Sequence, residues 1–209
     1  VAVAPRQRLD SHKLIEEFMI LANVAAAEAL EALRRPSLYR VHDAPAPERV
    51  DALRQALADL DVPGLGLAKG QVLRPSLFNQ VLARIAGRPE APIVNDLVLR
   101  AQAQAAYSPD NIGHFGLALP RYAHFTSPIR RYADLLVHRA LLGESVPHDE
   151  LEATGKHVSA TERRAAAAER AALERYRARL LGNRIGEIFD GRVSGVQRYG
   201  LFVTLAVIG

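Results

Sequence analysis

Arg130, Asp134 and His138 recur at every fourth position of the run SPIRRYADLLVHR. On a helix this interval stacks a guanidinium, a carboxylate and an imidazole along one stripe, with the apolar Ile129, Tyr132, Ala133, Leu135 and Leu136 elsewhere. Ser127 followed by Pro128 reads as an N-cap and first helical residue, because proline lacks an N–H that the first turn would leave unused. The spacing therefore predicts a helix from Ser127 onward, with Arg130 in its first turn. Free N–H groups there attract phosphate, and an arginine beside them can hold two phosphate oxygens with its planar fork. The same interval also fits an Arg130–Asp134 ion pair on a solvated face, so phosphate recognition and a surface pair both stand.

Other polar residues invite a reading of their own. Glu16 lies one turn before Ile20 and two before Asn23, so a carboxylate and an amide share one flank of a helix, with Glu17 on the other side; a solvated pair of glutamates fits equally. His42 has no second histidine, cysteine or acid at ligand spacing and reads as a structural loop residue. Hydrolysis with two metal ions needs clustered hard oxygen ligands. The aspartates, among them Asp43, Asp96, Asp110, Asp134 and Asp190, are scattered singly, so no metal site is expected in these residues.

These side chains need elements to position them. Asp10 or Ser11 can cap a helix that ends near Arg34 and Arg35 before Pro36, with Leu14, Phe18, Leu21, Ala25 and Ala29 as its expected core stripe. Residues 38–47 read as loop or short extended chain. Short helices follow at about 47–60, 75–86 and 93–106, the first stopped by the Pro63, Gly64, Gly66 and Gly70 group. Arg100 on the third faces alanines and glutamines and could either snorkel or reach an anionic partner. Apolar residues then alternate through Phe115, Leu117 and Leu119 up to Pro120. After the Ser127 helix, a short helix is expected over 149–158. Ser159 and Glu162 form a capping box that opens another, running to Leu181. Alternating charges through Glu169, Arg170, Glu174 and Arg175 give that last helix a solvated surface. Residues 188–196 and 201–208 alternate around a turn and predict a hairpin.

Composition narrows the class. The 209 residues are 49% hydrophobic and 24% charged, ordinary for a globular chain, and the net charge of +4 leans toward an anionic partner. No cysteine is present, which excludes a disulfide scaffold and a thiolate metal site. No run of 18 apolar residues and no signal pattern occurs, so no membrane is expected and the cytoplasm is the default.

The stretch HFGLALPRYAHFTSPIRRYADLLVHR, together with HKLIEEFMILAN, LYRVHDAP, LVLRAQAQAAYS, TERR and GEIFDGRVSGVQRYGLFV, resembles the ribonuclease II and ribonuclease R (RNB) family of 3′-to-5′ exoribonucleases, above all its bacterial members of the ribonuclease R type. The resemblance implies an α+β fold. Residues 1–182 would form the C-terminal part of the catalytic domain, and 183–209 the first two strands of a truncated S-one-type OB-fold that binds RNA. It implies processive hydrolysis of RNA from the 3′ end to nucleoside 5′-monophosphates, with magnesium as cofactor, RNA as partner and a monomeric enzyme. Arg130 would neutralise charge on the scissile or terminal phosphate. Glu16 or Glu17 would contact the terminal nucleotide, and Glu169 would lie at the active site with Arg170 beside it. Tyr122, Ser127 and Arg131 would line the RNA path, while Tyr199 and Phe202 would stack on bases. The family's aspartate group is expected upstream of Asp10, so the isolated chain is expected not to degrade RNA. A non-catalytic RNA-binding module is the alternative, and a helical scaffold is a third reading.

Overall fold

The computed structural model describes residues 7–60 and 73–205. It is an α+β structure in two compact units, residues 10–159 and residues 160–209 with 1–9. In the first unit the elements run α1 (Asp10–Ala32), β1 (Tyr39–Val41), α2 (Pro47–Asp59), α3 (Pro75–Ile85), α4 (Ala91–Ala101), β2 (Ala106–Ser108) and α5 (Tyr132–Leu142). Helix α6 (His148–Leu181) begins there, and the hairpin of β3 (Gly191–Gln197) and β4 (Gly200–Leu205) belongs to the second unit. Among the described residues no helix is long and apolar enough to cross a membrane.

Helices α2, α3 and α4 each start with a proline in the first two helical positions, where its missing N–H costs nothing. Each then buries a triplet at helical spacing: Val50, Leu53 and Leu57; Phe78, Val81 and Ile85; Val94, Val98 and Ala101. These nine side chains form one core, against which Phe115 packs with its ring edge-on to Phe78 at 6.0 Å. Helix α4 stops at Ala101 instead of reaching 106, because residues 106–108 pair antiparallel with Tyr39–Val41. That pairing joins segments more than sixty residues apart, so no local pattern marks it. The glycine and proline group at 63–70 lies outside the described residues.

Helix α1 differs from expectation in the face it buries. Leu14, Phe18 and Leu21 are exposed, Leu21 at 65%, while Asn23, Ala26, Ala27 and Leu30 are buried. Small residues let the backbone of α1 approach α5, where Ala26, Ala27 and Leu30 meet Ala123, Val137 and Ala140. Arg35, just past α1, donates to the carbonyls of Ala140 and Leu141 and so caps the end of α5. Gly143 closes that end at φ +108°, with Glu144 N–H donating to the Arg139 carbonyl.

The alternating run after His114 is also not extended. It folds into a single 3-10 turn, Phe115–Leu117, followed by Ala118 at φ +55°. The capping box at Ser159 does not form, because α6 is one continuous helix. Ser159 is buried inside it, donates to the Gly155 carbonyl at 2.7 Å and accepts the Tyr107 N–H of β2 at 2.9 Å. Serine bonded back one turn does not break a helix whose neighbours are strong helix formers.

Gly155 shows why α6 can lie this close to β2. A Cβ at that position would stand 2.7 Å from the Tyr107 carbonyl oxygen and 3.3 Å from a Leu38 methyl. Alanine gains up to about 1 kcal/mol of helix propensity over glycine, but overpacking against a fixed backbone costs more, on the order of 3 kcal/mol. Gly155→Ala is therefore expected to lower the thermal midpoint of the first unit by roughly 4–8 °C. An unchanged or raised midpoint would show that the helix and strand can separate freely.

In the second unit every residue from 162 to 179 is exposed, as the alternating charges require. The expected hairpin is present as β3 and β4, in register from Gly191↔Leu205 to Gln197↔Gly200, with a bulge between Val193 and Gly195. Residues 206–208 of the expected second strand lie outside the described residues.

Candidate functional site

The region of interest in the first unit is the irregular segment from His114 to Arg131. Helix α5 does not begin at Ser127. Residues 127–131 form a separate turn, in which the Ser127 carbonyl accepts the N–H groups of Arg130 and Arg131 at 3.2 and 3.1 Å. Arg131 is extended (φ −124°, ψ 116°), and the helix starts at Tyr132. The Ser-Pro start signal thus opens a turn that precedes the helix by four residues, and Arg130 lies on that turn, not in the first turn of α5.

Asp134 is the reason for this geometry. Its side chain is fully buried at the third helical position, where a carboxylate is favoured by the helix dipole. Instead of staying on its own helix, it reaches back to accept the Ser127 N–H at 2.7 Å. It also holds Arg131, with Nη2 to Oδ2 at 2.8 Å and Nε to Oδ1 at 2.8 Å. The second contact is misaligned for a hydrogen bond, so the pair consists of one good bond plus Coulomb attraction. The expected pairing of Asp134 with Arg130 is therefore replaced by one with Arg131. Arg131, placed on the RNA path by the sequence reading, has its guanidinium turned to the interior. The Arg130 side chain is exposed and has no hydrogen bond or ion pair to another described residue. Its neighbour Ile129 is 98% exposed.

The chain leading into the turn is held by side chains. Asn23 of α1 is buried; its amide donates to the Tyr122 hydroxyl at 2.8 Å and accepts the Phe125 N–H at 2.8 Å. His138 of α5 donates from Nε2 to the Phe125 carbonyl at 2.8 Å, and its ring stacks on Phe125 with centroids 4.2 Å apart. Tyr122 is buried between the rings of His114 and His124, a packing position rather than one that faces a base. Ser127 contributes its backbone to the turn. Asn23 and His138 carry this scaffold, and sequence reasoning assigned neither a role. The signal was present in part: Asp134 and His138, four apart, do share the face of α5 turned to this segment.

His42 accepts the Gly116 N–H at Nδ1, 2.7 Å, so its proton sits on Nε2 and goes to the Ala103 carbonyl at 2.7 Å. Both ring nitrogens are used, which leaves none for a metal. Among the described residues no group of three or more histidines, aspartates or glutamates could hold a metal ion. The described residues therefore do not by themselves fit a magnesium site.

Two further histidines line this interior. Burial, with His42 and Arg40 nearby, pushes His114 down to about 4. Burial, with Arg131 and Arg40 outweighing Asp134, pushes His124 to about 3, while the Tyr107 hydroxyl bonds its Nδ1 at 2.8 Å. Both rings thus stay neutral in the fold while the unfolded chain takes up protons below its ordinary value near 6.5. The unfolded state binds more protons across that window, so stability falls as pH drops from about 6.5 toward 4. At pH 4.5 the loss is on the order of 2 kcal/mol for His124. Urea unfolding at pH 7.5 and 4.5 checks this: the difference should shrink in His124→Gln. An equal difference in that variant would place the acid sensitivity elsewhere.

The remaining candidates lie on other elements. Glu16 and Glu17 are exposed on the N-terminal half of α1. Glu169 and Arg170 are exposed on the part of α6 that belongs to the second unit. Tyr199 is 82% exposed at the hairpin turn, with its ring edge-on to the half-exposed Phe202 at 6.2 Å. The hairpin turn thus brings the two aromatics, three residues apart, together on an open face.

Residues 1–143 match the RNB domain family. Ribonuclease R of Aquifex aeolicus (strain VF5) is 45% identical over 212 residues, covering 98% of this chain and 30% of that protein. Ribonuclease R of Escherichia coli (strain K12) is 42% identical over 216 residues, covering 95% of this chain and 26% of that one. The solved structure of Mycoplasma genitalium RNase R in complex with ribose-methylated single-stranded RNA superposes with a TM-score of 0.88 at 28% identity, over 97% of this chain and 33% of the other. The chain thus spans about 30% of the length of the curated relatives it matches. With the family match running through the segment that Asn23, Asp134 and His138 hold in place, this chain belongs to the RNB domain family.

Proposed function

We propose that these residues are part of a 3′-to-5′ exoribonuclease that hydrolyses RNA processively to nucleoside 5′-monophosphates. In this reading they supply the phosphate-holding and RNA-lining side of the site. The observation that carries it is the contrast between two adjacent arginines: Arg131 is spent on a buried carboxylate, while Arg130 is exposed with its charge and five donors unclaimed. On a turn fixed by Asp134, such a guanidinium is a preorganised donor for charge that builds up on a phosphate. Glu16 or Glu17 contacts the terminal nucleotide, Glu169 takes part in catalysis, and Arg170 binds RNA. Tyr199 and Phe202 stack on bases, residues 183–209 being the start of an S-one-type RNA-binding domain. The relative solved with single-stranded RNA supports RNA as the partner. Metal-dependent hydrolysis is general in RNB-family nucleases. It asks for oxygen ligands that these residues do not supply, and none of that work is assigned to them.

The test uses the full-length protein that carries these residues and a single-stranded RNA labelled at its 5′ end. Stepwise shortening from the 3′ end with release of nucleoside 5′-monophosphates is the expected result. Internal cuts, cyclic phosphate ends, or binding without cleavage would overturn the reading, the last in favour of an RNA-binding module.

A further inference from the structure

A carboxylate at the third position of a helix ordinarily serves its own helix, bonding the N-cap amide. Asp134 does not. The N-cap amide, that of Arg131, donates instead to the Ser127 carbonyl, and the carboxylate reaches seven residues back to the Ser127 N–H. The same carboxylate takes the Arg131 guanidinium out of solvent. Both ends of the turn are thereby pinned to one buried anion: Ser127 by its amide, Arg131 by its side chain. Between them lie Pro128, Ile129 and Arg130, all exposed. Stability alone does not account for this arrangement. A buried ion pair seldom outperforms apolar residues of equal volume, and here one of the two contacts is misaligned. What a carboxylate does here and an apolar side chain cannot is fix the turn's orientation while neutralising Arg131, which leaves Arg130 uncompensated.

We propose that Asp134 is a positioning residue for the reaction: by holding the Ser127 amide and the Arg131 guanidinium together, it presents Arg130 to the phosphate in one orientation. This rests on the reading of Arg130 as the phosphate-holding group. Asn23 and His138 support it from upstream, fixing Phe125 by its N–H and its carbonyl two residues before the turn. Loss of Asp134 leaves the fold around Phe125 in place and loosens the turn alone.

The experiment is a double-mutant cycle in the full-length enzyme, with single-turnover cleavage of a single-stranded RNA as readout and thermal unfolding as control. Asp134→Asn keeps the volume and an acceptor but removes the charge that holds Arg131. A loosened donor of this kind costs cleavage roughly 10–100-fold. If Asp134 acts through Arg130, that cost shrinks to within about twofold when Arg130 is already alanine, because coupled residues are not additive. Equal costs in both backgrounds, or no cost in either, would overturn the proposal while the Arg130 reading stands. If Arg130→Ala by itself costs nothing, that reading fails and the proposal with it. Should Asp134→Asn be unfolded at the assay temperature, the cycle is run with Arg131→Lys, which keeps the positive partner and loses the fork. The same criterion applies: a loss confined to the Arg130 background supports the proposal, and an additive or absent loss overturns it.

Discussion

Replacing Arg130 by alanine in the full-length enzyme is expected to slow single-turnover cleavage about a hundredfold or more, roughly 3 kcal/mol of transition-state stabilisation. The thermal midpoint should hardly move, because the side chain is exposed and makes no hydrogen bond or ion pair with other described residues. Lysine should fail nearly as badly. It restores a point charge but not the planar pair of donors that matches two phosphate oxygens. Arg131→Ala should differ by losing stability as well as cleavage. It leaves the fully buried Asp134 carboxylate without its cation, a defect worth about 3–5 kcal/mol of stability. Near-normal cleavage by Arg130→Ala with a lowered midpoint would mean that Arg130 is a structural residue after all.

The second large effect concerns Asn23. Its side chain is the partner of two groups at once, the Phe125 N–H and the Tyr122 hydroxyl, in a buried site. Asn23→Ala orphans both, at about 1–3 kcal/mol for each unsatisfied buried group, and leaves a small cavity. A total on the order of 4 kcal/mol is expected in urea unfolding. Tyr122→Phe removes only one of the two bonds and should cost about 1 kcal/mol. Tyr122→Phe compared with Tyr122→Ala separates two roles for Tyr122. If its ring stacked on RNA, Tyr122→Phe would leave the stacking face intact and Tyr122→Ala would weaken RNA binding more than folding. Burial between His114 and His124 predicts the reverse, with folding the greater loss.

What could be read in advance follows the range of each interaction. Helices α2 and α3 were legible because their patterns are local, α4 only in part since it ends at Ala101 and not at 106, and the three do form one core. The β3–β4 hairpin was legible for the same reason, as alternation around a tight turn. Other features were not legible, three of them bearing on how the site is placed. The β1–β2 pair depends on a contact between residues 39–41 and 106–108 that no window contains. The buried face of α1 was chosen by how closely α5 could approach, which favours Ala26 and Ala27 over Leu14 and Phe18. The start of α5 was misread by four residues because Ser127 and Pro128 do open a turn. Only the reach of the Asp134 carboxylate, invisible in spacing, separates that turn from the helix.

The candidate site divides in the same way. Arg130 was singled out by a spacing that fitted phosphate recognition and a surface ion pair alike, and its side chain stands exposed without that pair. Asn23 and His138 bond backbone groups on a distant segment, and backbone partners leave no mark in residue types. Arg131 looked equivalent to Arg130 in sequence, and one residue of offset from Asp134 turned it inward.

The most direct test is a structure of the full-length enzyme with a single-stranded RNA held short of cleavage. The account predicts the Arg130 guanidinium within hydrogen-bond distance of a phosphate near the RNA 3′ end, with Arg131 still on Asp134 and the Ser127 amide still bonded to that carboxylate. A phosphate held by Arg131 away from Asp134, with Arg130 turned to solvent, would contradict it.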